Sequence, residues 1–407
     1  MVPVTVHDPA VSGPGTPGPG DTLAIAEALL TRRSGAPVRL ADATDLGGSD
    51  RSRVLRVRVA ENPFSLPRTL VLKHYGVDAA ASFRFEAASF QLATALPSQD
   101  RVSPTLVAND PDHRLLVLED LGRCASLADR LHAVGPTTES GGAAKAAERA
   151  LLGWARSLGR LQAATAGRED DFRALLRRFG ARSWHDPLAD DARAALAEVP
   201  DLLARLLRVE AAPAAVDEAR SAARLLGGGT YRAFSPSEVC PENCLITGGG
   251  SRFHDFEWGS FRDVALSAAS LRLPFPGCGT VHRLPPGMVE AMTASWQAEV
   301  AAVWPELAEP VVGGLRLVQA ELLWVWLCTR SLLPRVVGEP DPEQLLVADP
   351  GPSVGSVLRA QWSWLARQAR AAGVRETADL AAAVTEALAA LGATELPLFP
   401  AFAPAPP

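Results

Sequence analysis

The alternation of apolar and polar residues predicts a small sheet near the N-terminal end of the chain. Residues Val54–Val59 alternate apolar side chains with arginine, and Thr69–Lys73 forms a second apolar run of strand length. Period-two alternation is typical of a strand with one buried and one solvated face, so we expect the arginines of the first run partly on the wet face. A further strand is predicted at Leu115–Leu118.

Longer apolar patterns predict helices before, between and after these strands. A short helix is expected near Thr22–Arg33, and a longer one covers roughly Ala79–Ala95. Beyond the strand at Leu115–Leu118 the pattern is mainly helical, broken by one strand-rich island at Tyr231–Phe256. A small β-rich lobe followed by a large helical lobe predicts an α+β, bilobal fold.

Composition divides the chain into four pieces. Residues 1–20 are rich in proline and glycine and are predicted to be disordered. Residues 21–122 form the small lobe and the hinge, and residues 123–395 form the helical lobe with the β-island at 231–258. The Pro-rich tail at residues 396–407 is predicted to be loose.

Charge and cysteine content limit the classes of partner. The net charge of −6 argues against nucleic acid, because a phosphate backbone requires a basic face. Five cysteines, an odd number without framework spacing, favour reduced thiols and a cytoplasmic protein. The N-terminus lacks a basic region followed by an apolar core, so no secretion signal is expected.

The most hydrophobic helix of the chain is predicted near Leu322–Leu332. Glu321 and Arg330 interrupt its apolar pattern. We therefore expect it to be too short and too polar to span a bilayer, and we expect no membrane partner.

Lysine usage singles out one position. The chain has 40 Lys plus Arg residues, and only Lys73 and Lys145 are lysine. Arginine ends in a wide planar guanidinium group and lysine in a compact ammonium group, so Lys73 suggests a site that cannot accept the guanidinium. Lys73 ends the predicted apolar strand Thr69–Lys73, and kinase-type enzymes hold the lysine that contacts ATP phosphates on a strand of this kind. A surface lysine present by chance is the alternative at this point.

A second pattern lies within the β-island. Asn243 precedes one apolar strand, and Asp255 ends the next, with the glycines at 248–250 between them. A hairpin with this turn brings the two residues together. Their oxygen atoms suit Mg²⁺, which is usually held by one or two side chains together with ATP phosphates.

These motifs resemble the aminoglycoside phosphotransferase and choline kinase-like family, whose members are relatives of protein kinases. The resemblance covers roughly residues 40–275 and includes an intact Asp-Phe-Glu stretch at Asp255–Glu257. It implies a bilobal protein kinase-like fold that uses ATP and Mg²⁺. It also implies a hydroxyl-bearing acceptor, either a small molecule or a peptide.

The resemblance implies a role for each matching residue. Lys73 would contact the α- and β-phosphates, and Glu86 would hold Lys73 in place. Asn243 and Asp255 would coordinate Mg²⁺. The glycine-rich stretch would lie over the phosphates, and the hinge backbone would meet the adenine edge; these residues are Gly47, Gly48, Ser49, Glu119 and Leu121.

The part of the predicted site that would bind the phosphate acceptor, here called the acceptor half, departs from the family pattern. The family's catalytic loop begins His-Gly-Asp, and counting back from the metal-binding Asn gives Pro236, Ser237 and Glu238 here. The expected general base is therefore Glu238. A second family aspartate, twelve residues after the metal-binding Asp, is Ser267, and the family's Leu-His-Ala histidine is Gln162.

Two functions fit this pattern. Glutamate carries the same carboxylate as aspartate on one more methylene, so Glu238 could deprotonate or orient an acceptor hydroxyl. This predicts an ATP-dependent phosphotransferase. The alternative is a weakly active or inactive pseudokinase that binds nucleotide and acts as a binding or regulatory partner. A pure binding module that docks a protein in the groove is a contrasting class.

Overall fold

Two lobes make up the protein, as the pattern predicts: a small sheet-based lobe and a large helical lobe. The computed structural model describes residues 18–61, 66–134, 140–181, 185–236, 239–274, 281–338 and 353–403. Most of the N-terminal segment predicted to be disordered, residues 1–17, lies outside the described residues. The first helix already begins at Pro19.

The small lobe contains a five-stranded antiparallel sheet in the order β1-β2-β3-β5-β4. The strands are β1 (Arg39–Ser49), β2 (Ser52–Glu61), β3 (Thr69–Tyr75), β4 (Leu106–Asp110) and β5 (Leu115–Glu119). Sequence reasoning missed β1 and β4. In β1 the pairing register shifts between Ala41 and Thr44 and again between Asp45 and Gly47, and such bulges break the period-two pattern.

Both faces of this sheet are covered. Helix α1 (Pro19–Ser34) packs on one face through Ala26 and Leu30, against Leu115 and Val117 of β5. The alternate β5 side chains, at positions 116 and 118, join the core that contains helix α2 (Ala80–Thr94) and the large lobe. The successive residues of β5 therefore point to opposite cores, which fixes the position of α2 beneath the sheet.

The large lobe is built from ten helices and five short strands among the described residues. The helices are α3 (Leu127–His132), α4 (Ser140–Thr165), α5 (Glu169–Arg178), α6 (Pro187–Leu202), α7 (Pro213–Ala222), α8 (Val264–Ala268), α9 (Met288–Val300), α10 (Pro310–Val336), α11 (Val354–Ala371) and α12 (Arg375–Ala390). The strands are β6 (Ala125–Ser126), β7 (Arg232–Ser235), β8 (Cys244–Thr247), β9 (Gly250–Phe253) and β10 (Ser260–Asp263). Strands β8 and β9 form the predicted hairpin, and β7 pairs with β10.

Helix α10 is longer than the sequence pattern predicts. It has 27 residues, so the expectation that this helix is too short to span a bilayer is wrong. Among the described residues it is the one helix that is long and apolar enough, and 61% of its most apolar window is buried inside the protein. The interrupting Glu321 is fully buried and accepts a hydrogen bond from Trp364.

The C-terminal segment is packed where the description covers it. Leu396 and Phe399 are buried, and Leu398 forms a β-bridge with Arg283. The predicted loose tail is therefore wrong for residues 396–403, while residues 404–407 lie outside the described part of the chain. The prediction of a loose tail rested on proline content alone and did not consider the apolar side chains at positions 396 and 399.

The thiols do not all match the prediction of reduced cysteines. Cys240 is disulfide-bonded, whereas Cys124, Cys244 and Cys328 are free. Burial raises the pKa of Cys244 and of Cys328 to about 12, so both stay protonated.

Candidate active site

Lys73 and Glu86 form a buried ion pair at the base of the small lobe. Lys73 lies on β3 and is 7% exposed, and Glu86 lies on α2 and is fully buried. The lysine Nζ is 2.9 Å from Glu86 Oε2 and 3.0 Å from Oε1. The structure thus brings together the two residues that sequence analysis paired, and the pairing of a strand lysine with a helix glutamate is a feature of kinases.

Two further donors hold the Glu86 carboxylate. The Tyr75 hydroxyl donates to Oε2, and the Phe256 N–H donates to Oε1 over 3.0 Å. Tyr75 is fully buried and lies two residues after Lys73, on the same face of β3. Sequence analysis missed Tyr75, although its period-two relation to Lys73 was a usable signal.

Asp255 reaches the same lysine from the large lobe. Its Oδ1 lies 3.4 Å from Lys73 Nζ, and its side chain remains 28% exposed. Burial acts to raise the pKa of Asp255, but the positive charge of Lys73 outweighs it and holds that pKa below its ordinary value. Asp255 is therefore anionic and still accessible, as a metal ligand must be.

A third carboxylate, from Glu257, completes the cluster. Glu257 Oε1 lies 3.6 Å from Lys73 Nζ, and Oε2 lies 3.1 Å from Arg51 Nη2. Burial alone would lower the pKa of Lys73, but Asp255, Glu86 and Glu257 outweigh it and raise that pKa, so the lysine stays charged. Burial raises the pKa of Glu86; the positive charge of Lys73 opposes this increase, and the anionic Asp255 and Glu257 add to it.

Asn243 lies opposite His254, the residue before Asp255, at the open end of the β8–β9 hairpin. It ends the short helical turn Pro241–Asn243, and its carbonyl accepts the His254 N–H over 3.2 Å. The part of the chain that the structure describes contains no group of three or more His, Cys, Asp or Glu residues that could hold a metal by themselves. This donor set fits a magnesium ion that takes its remaining ligands from phosphates and water.

The predicted phosphate loop is the end of the β1–β2 hairpin. Gly47 and Gly48 have φ angles of +92° and +145°, which glycine adopts readily. A Cβ added at Gly48 would lie 2.2 Å from the Ser52 carbonyl oxygen, so the two strands approach too closely for any side chain there. Ser49 pairs with Ser52 to close the turn.

The hinge follows β5 and is fixed by an arginine from β2. Arg56 donates to the Asp120 carboxylate over 2.9 and 3.1 Å, and that carboxylate also accepts the Gly122 N–H. The Glu119 N–H donates to the Thr105 carbonyl over 2.9 Å and is therefore already engaged within the small lobe. The Leu121 carbonyl accepts the thiol of the neighbouring cysteine at 124. Sequence analysis missed this Arg56–Asp120 pair because the partners are distant in sequence.

The acceptor half is only partly described. Glu238 and Ser237 lie outside the described residues. The hydroxyl of Ser267 contacts that of Ser235, which immediately precedes the predicted catalytic loop, and both are buried. Gln162 is fully buried; it donates to the carbonyl at position 264 and accepts from the indole at position 296, so it has a structural role.

No protein-family model matches the sequence, and no curated protein is significantly similar to it. Solved structures with a similar fold include the choline kinase from Cryptosporidium parvum Iowa II, at 9% identity and a TM-score of 0.41, covering 86% of this chain and 88% of that chain. Choline kinase LicA from Streptococcus pneumoniae matches at 11% identity and a TM-score of 0.40, covering 87% of this chain and 99% of that chain. An aminoglycoside-3'-phosphotransferase of type VIII matches at 16% identity and a TM-score of 0.40, covering 76% of this chain and 98% of that chain. The likeness to these structures is one of overall fold.

Proposed function

We propose that the protein is an ATP-dependent phosphotransferase that moves the γ-phosphate of ATP to a hydroxyl group. The observation that carries this proposal is the position of Lys73, which contacts Glu86 within its own lobe and Asp255 from the other. A buried lysine that joins both lobes and stays charged is suited to holding nucleotide phosphates.

The nucleotide would lie between the lobes, with its adenine at the hinge. The Glu119 carbonyl and the Leu121 N–H are the backbone groups proposed to meet the adenine edge. The phosphates would lie under Gly47 and Gly48, close to Lys73. The absence of side chains at the two glycines favours close approach of the backbone to phosphate oxygens.

A magnesium ion is proposed to bind at Asn243 and Asp255. When bound, such an ion neutralises charge on the β- and γ-phosphates during transfer. Asp255 would supply the anionic oxygen and Asn243 the neutral one. The backbone hydrogen bond between Asn243 and His254, the residue before Asp255, supports this pairing.

Glu238 is the proposed general base. An acceptor oxygen would attack the γ-phosphorus as the bond to the leaving ADP breaks, and the acceptor proton would pass to the Glu238 carboxylate. Most of the rate enhancement in such a transfer comes from positioning and charge stabilisation, so one methylene more than aspartate is compatible with turnover.

A nucleotide-binding pseudokinase is the second candidate. It is favoured by the Ser267 hydroxyl, which replaces the carboxylate expected beside the catalytic loop and contacts Ser235. A loop that no longer needed precise placement of its base could tolerate this loss of charge.

One experiment separates these functions. Melting curves with and without Mg–ATP test binding, since a ligand at 100 times its Kd stabilises the folded state by about 2.7 kcal/mol. ADP release in the presence of small alcohols, amino sugars and hydroxyl-bearing peptides then tests transfer. Stabilisation with ADP release supports the phosphotransferase, and stabilisation alone supports the pseudokinase. If neither is observed, both candidates are wrong and a binding module remains.

A further inference from the structure

Arg51 brings a second cation to the site. It lies in the turn of the β1–β2 hairpin, which is proposed to cover the phosphates. The turn between β1 and β2 has two residues, Asp50 and Arg51, and they behave differently. The Asp50 side chain is 71% exposed, whereas the Arg51 side chain is 24% exposed and extends to Glu257 in the large lobe. Because arginine in a surface turn is ordinarily solvated, its inward direction requires a reason.

The backbone of Arg51 is held firmly. Its carbonyl accepts the Gly76 N–H over 2.9 Å, and its own N–H donates to the Ser49 hydroxyl at 3.2 Å. Gly76 follows the last residue of β3, the strand that carries Lys73. The guanidinium therefore starts from a fixed point at the end of the hairpin predicted to cover the phosphates.

Glu257 lies between the two cations of the site. Its Oε1 faces Lys73 at 3.6 Å and its Oε2 faces Arg51 at 3.1 Å. Lys73 and Arg51 thus converge on one anionic group, which is the arrangement that two cations adopt around a phosphate.

The contact between Arg51 and Glu257 is close but poorly aligned. Glu257 Oε2 is buried, yet it has no hydrogen-bond partner among the described residues. The guanidinium has five N–H donors, and within the described chain its side-chain contacts are the ion contacts with Glu257 and, at 3.9 Å, with Asp50. Its hydrogen-bonding capacity is therefore largely unused.

We propose that Arg51 is a second phosphate-binding residue, which exchanges Glu257 for the terminal phosphates of the nucleoside triphosphate. This inference rests on the proposed function, because it places ATP phosphates beside Lys73. The guanidinium fork matches two phosphate oxygens in a bidentate contact, while Lys73 acts as a point charge on the same chain of phosphates. Arg51 thereby selects for the length of the phosphate chain rather than for the base.

Calorimetric titrations with ATP, ADP and AMP in the presence of Mg²⁺ test the assignment. In Arg51→Ala, ATP affinity should fall on the order of 10- to 100-fold, the loss expected for hydrogen bonds to a charged group. AMP affinity should stay within about twofold of the parent value, because AMP lacks the terminal phosphates. Arg51→Lys should lie between the parent and Arg51→Ala for ATP, and it serves as the informative variant should Arg51→Ala fail to fold.

Arg58→Ala is the matched control. Arg58 lies on the same hairpin, at the other end of β2, and pairs with Asp42. Its replacement by alanine changes the net charge of the protein by the same amount as Arg51→Ala. It should leave the ratio of ATP affinity to AMP affinity as in the parent. If the parent binds Mg–ATP and Arg51→Ala keeps the parent ratio, the role of Arg51 is disproved and the proposed function survives. If the parent protein does not bind Mg–ATP, the proposed function fails and this inference fails with it.

Discussion

The side chains of Lys73 and Asp255 lie 3.4 Å apart although 182 residues separate them in the chain. Glu86 shares the lysine and also accepts the N–H of Phe256, the residue after Asp255. The small lobe and the Asp255–Phe256 segment of the large lobe are thus tied together through one lysine and one glutamate. This connection is the physical basis of the proposed nucleotide site.

Replacing Lys73 by arginine should harm the protein although the charge is kept. Lys73 is 7% exposed and its Nζ lies 5.3 Å from the centre of the Tyr75 ring, so we expect the larger guanidinium to crowd its buried neighbours. We expect a loss of stability of about 1–3 kcal/mol, as for other overpacked sites, and Mg–ATP binding at least on the order of tenfold weaker. Denaturant melts and calorimetry measure the two effects.

Lys145→Arg is the control for that substitution, since Lys145 is the other lysine and is exposed on α4. It should behave like the parent protein in both measurements. Parent-like binding and stability in Lys73→Arg would show that the lysine is not specifically required.

Tyr75 should act as a positioning residue through Glu86. Tyr75→Phe removes the hydroxyl that donates to Glu86 Oε2, so this buried oxygen keeps only its ion pair with Lys73, at a cost of about 1–3 kcal/mol. Mg–ATP affinity should fall as well, because Glu86 then holds Lys73 less firmly. Tyr231→Phe, the same change at the only other tyrosine, should leave Mg–ATP affinity unchanged. If Tyr75→Phe affects stability but not affinity, Tyr75 only contributes to folding.

The small lobe should lose stability in mild acid because of His74. Its ring is buried and lies 2.8 Å from the Thr22 hydroxyl of α1, and burial lowers the pKa of His74 below its ordinary value. The unfolded chain binds a proton near pH 6.5 and the folded protein only at lower pH. Stability is therefore full above about pH 6.5 and declines as the pH falls towards the folded-state pKa.

Urea melts between about pH 7.5 and about pH 5 measure this loss, and His74→Gln, which does not titrate, should flatten the pH dependence. An equal pH dependence in the parent and in His74→Gln would assign the effect to other groups.

Glu238 decides between the two proposed functions. Glu238→Gln keeps the shape and removes the carboxylate, so transfer to a confirmed acceptor should fall strongly while Mg–ATP binding stays near the parent value. Glu238→Asp should also reduce activity, because a carboxylate displaced by about 1 Å can cost on the order of 10²-fold in rate. Equal turnover in the parent and in Glu238→Gln would remove the general-base role.

The sequence predicted the parts of the site that follow local patterns. Lys73 was found from its strand and from its rarity among arginines, and Asp255 from its place after a hairpin. Contacts between distant elements carry no local signal, so Arg51 and the ion pair of Arg56 with Asp120 became visible only in the structure. The position of Glu238, which lies outside the described residues, stays a prediction.

The most direct test of the proposed nucleotide site is calorimetric titration of Mg–ATP into the parent protein and into Asp255→Asn. The substitution keeps the shape but removes the anionic oxygen that a hard cation requires. Asp379→Asn, an exposed change on α12, controls for the chemistry of the substitution. The account predicts saturable, magnesium-dependent binding by the parent and by Asp379→Asn, with binding to Asp255→Asn at least on the order of tenfold weaker. No binding heat in the parent, or equal affinity in Asp255→Asn, would contradict it.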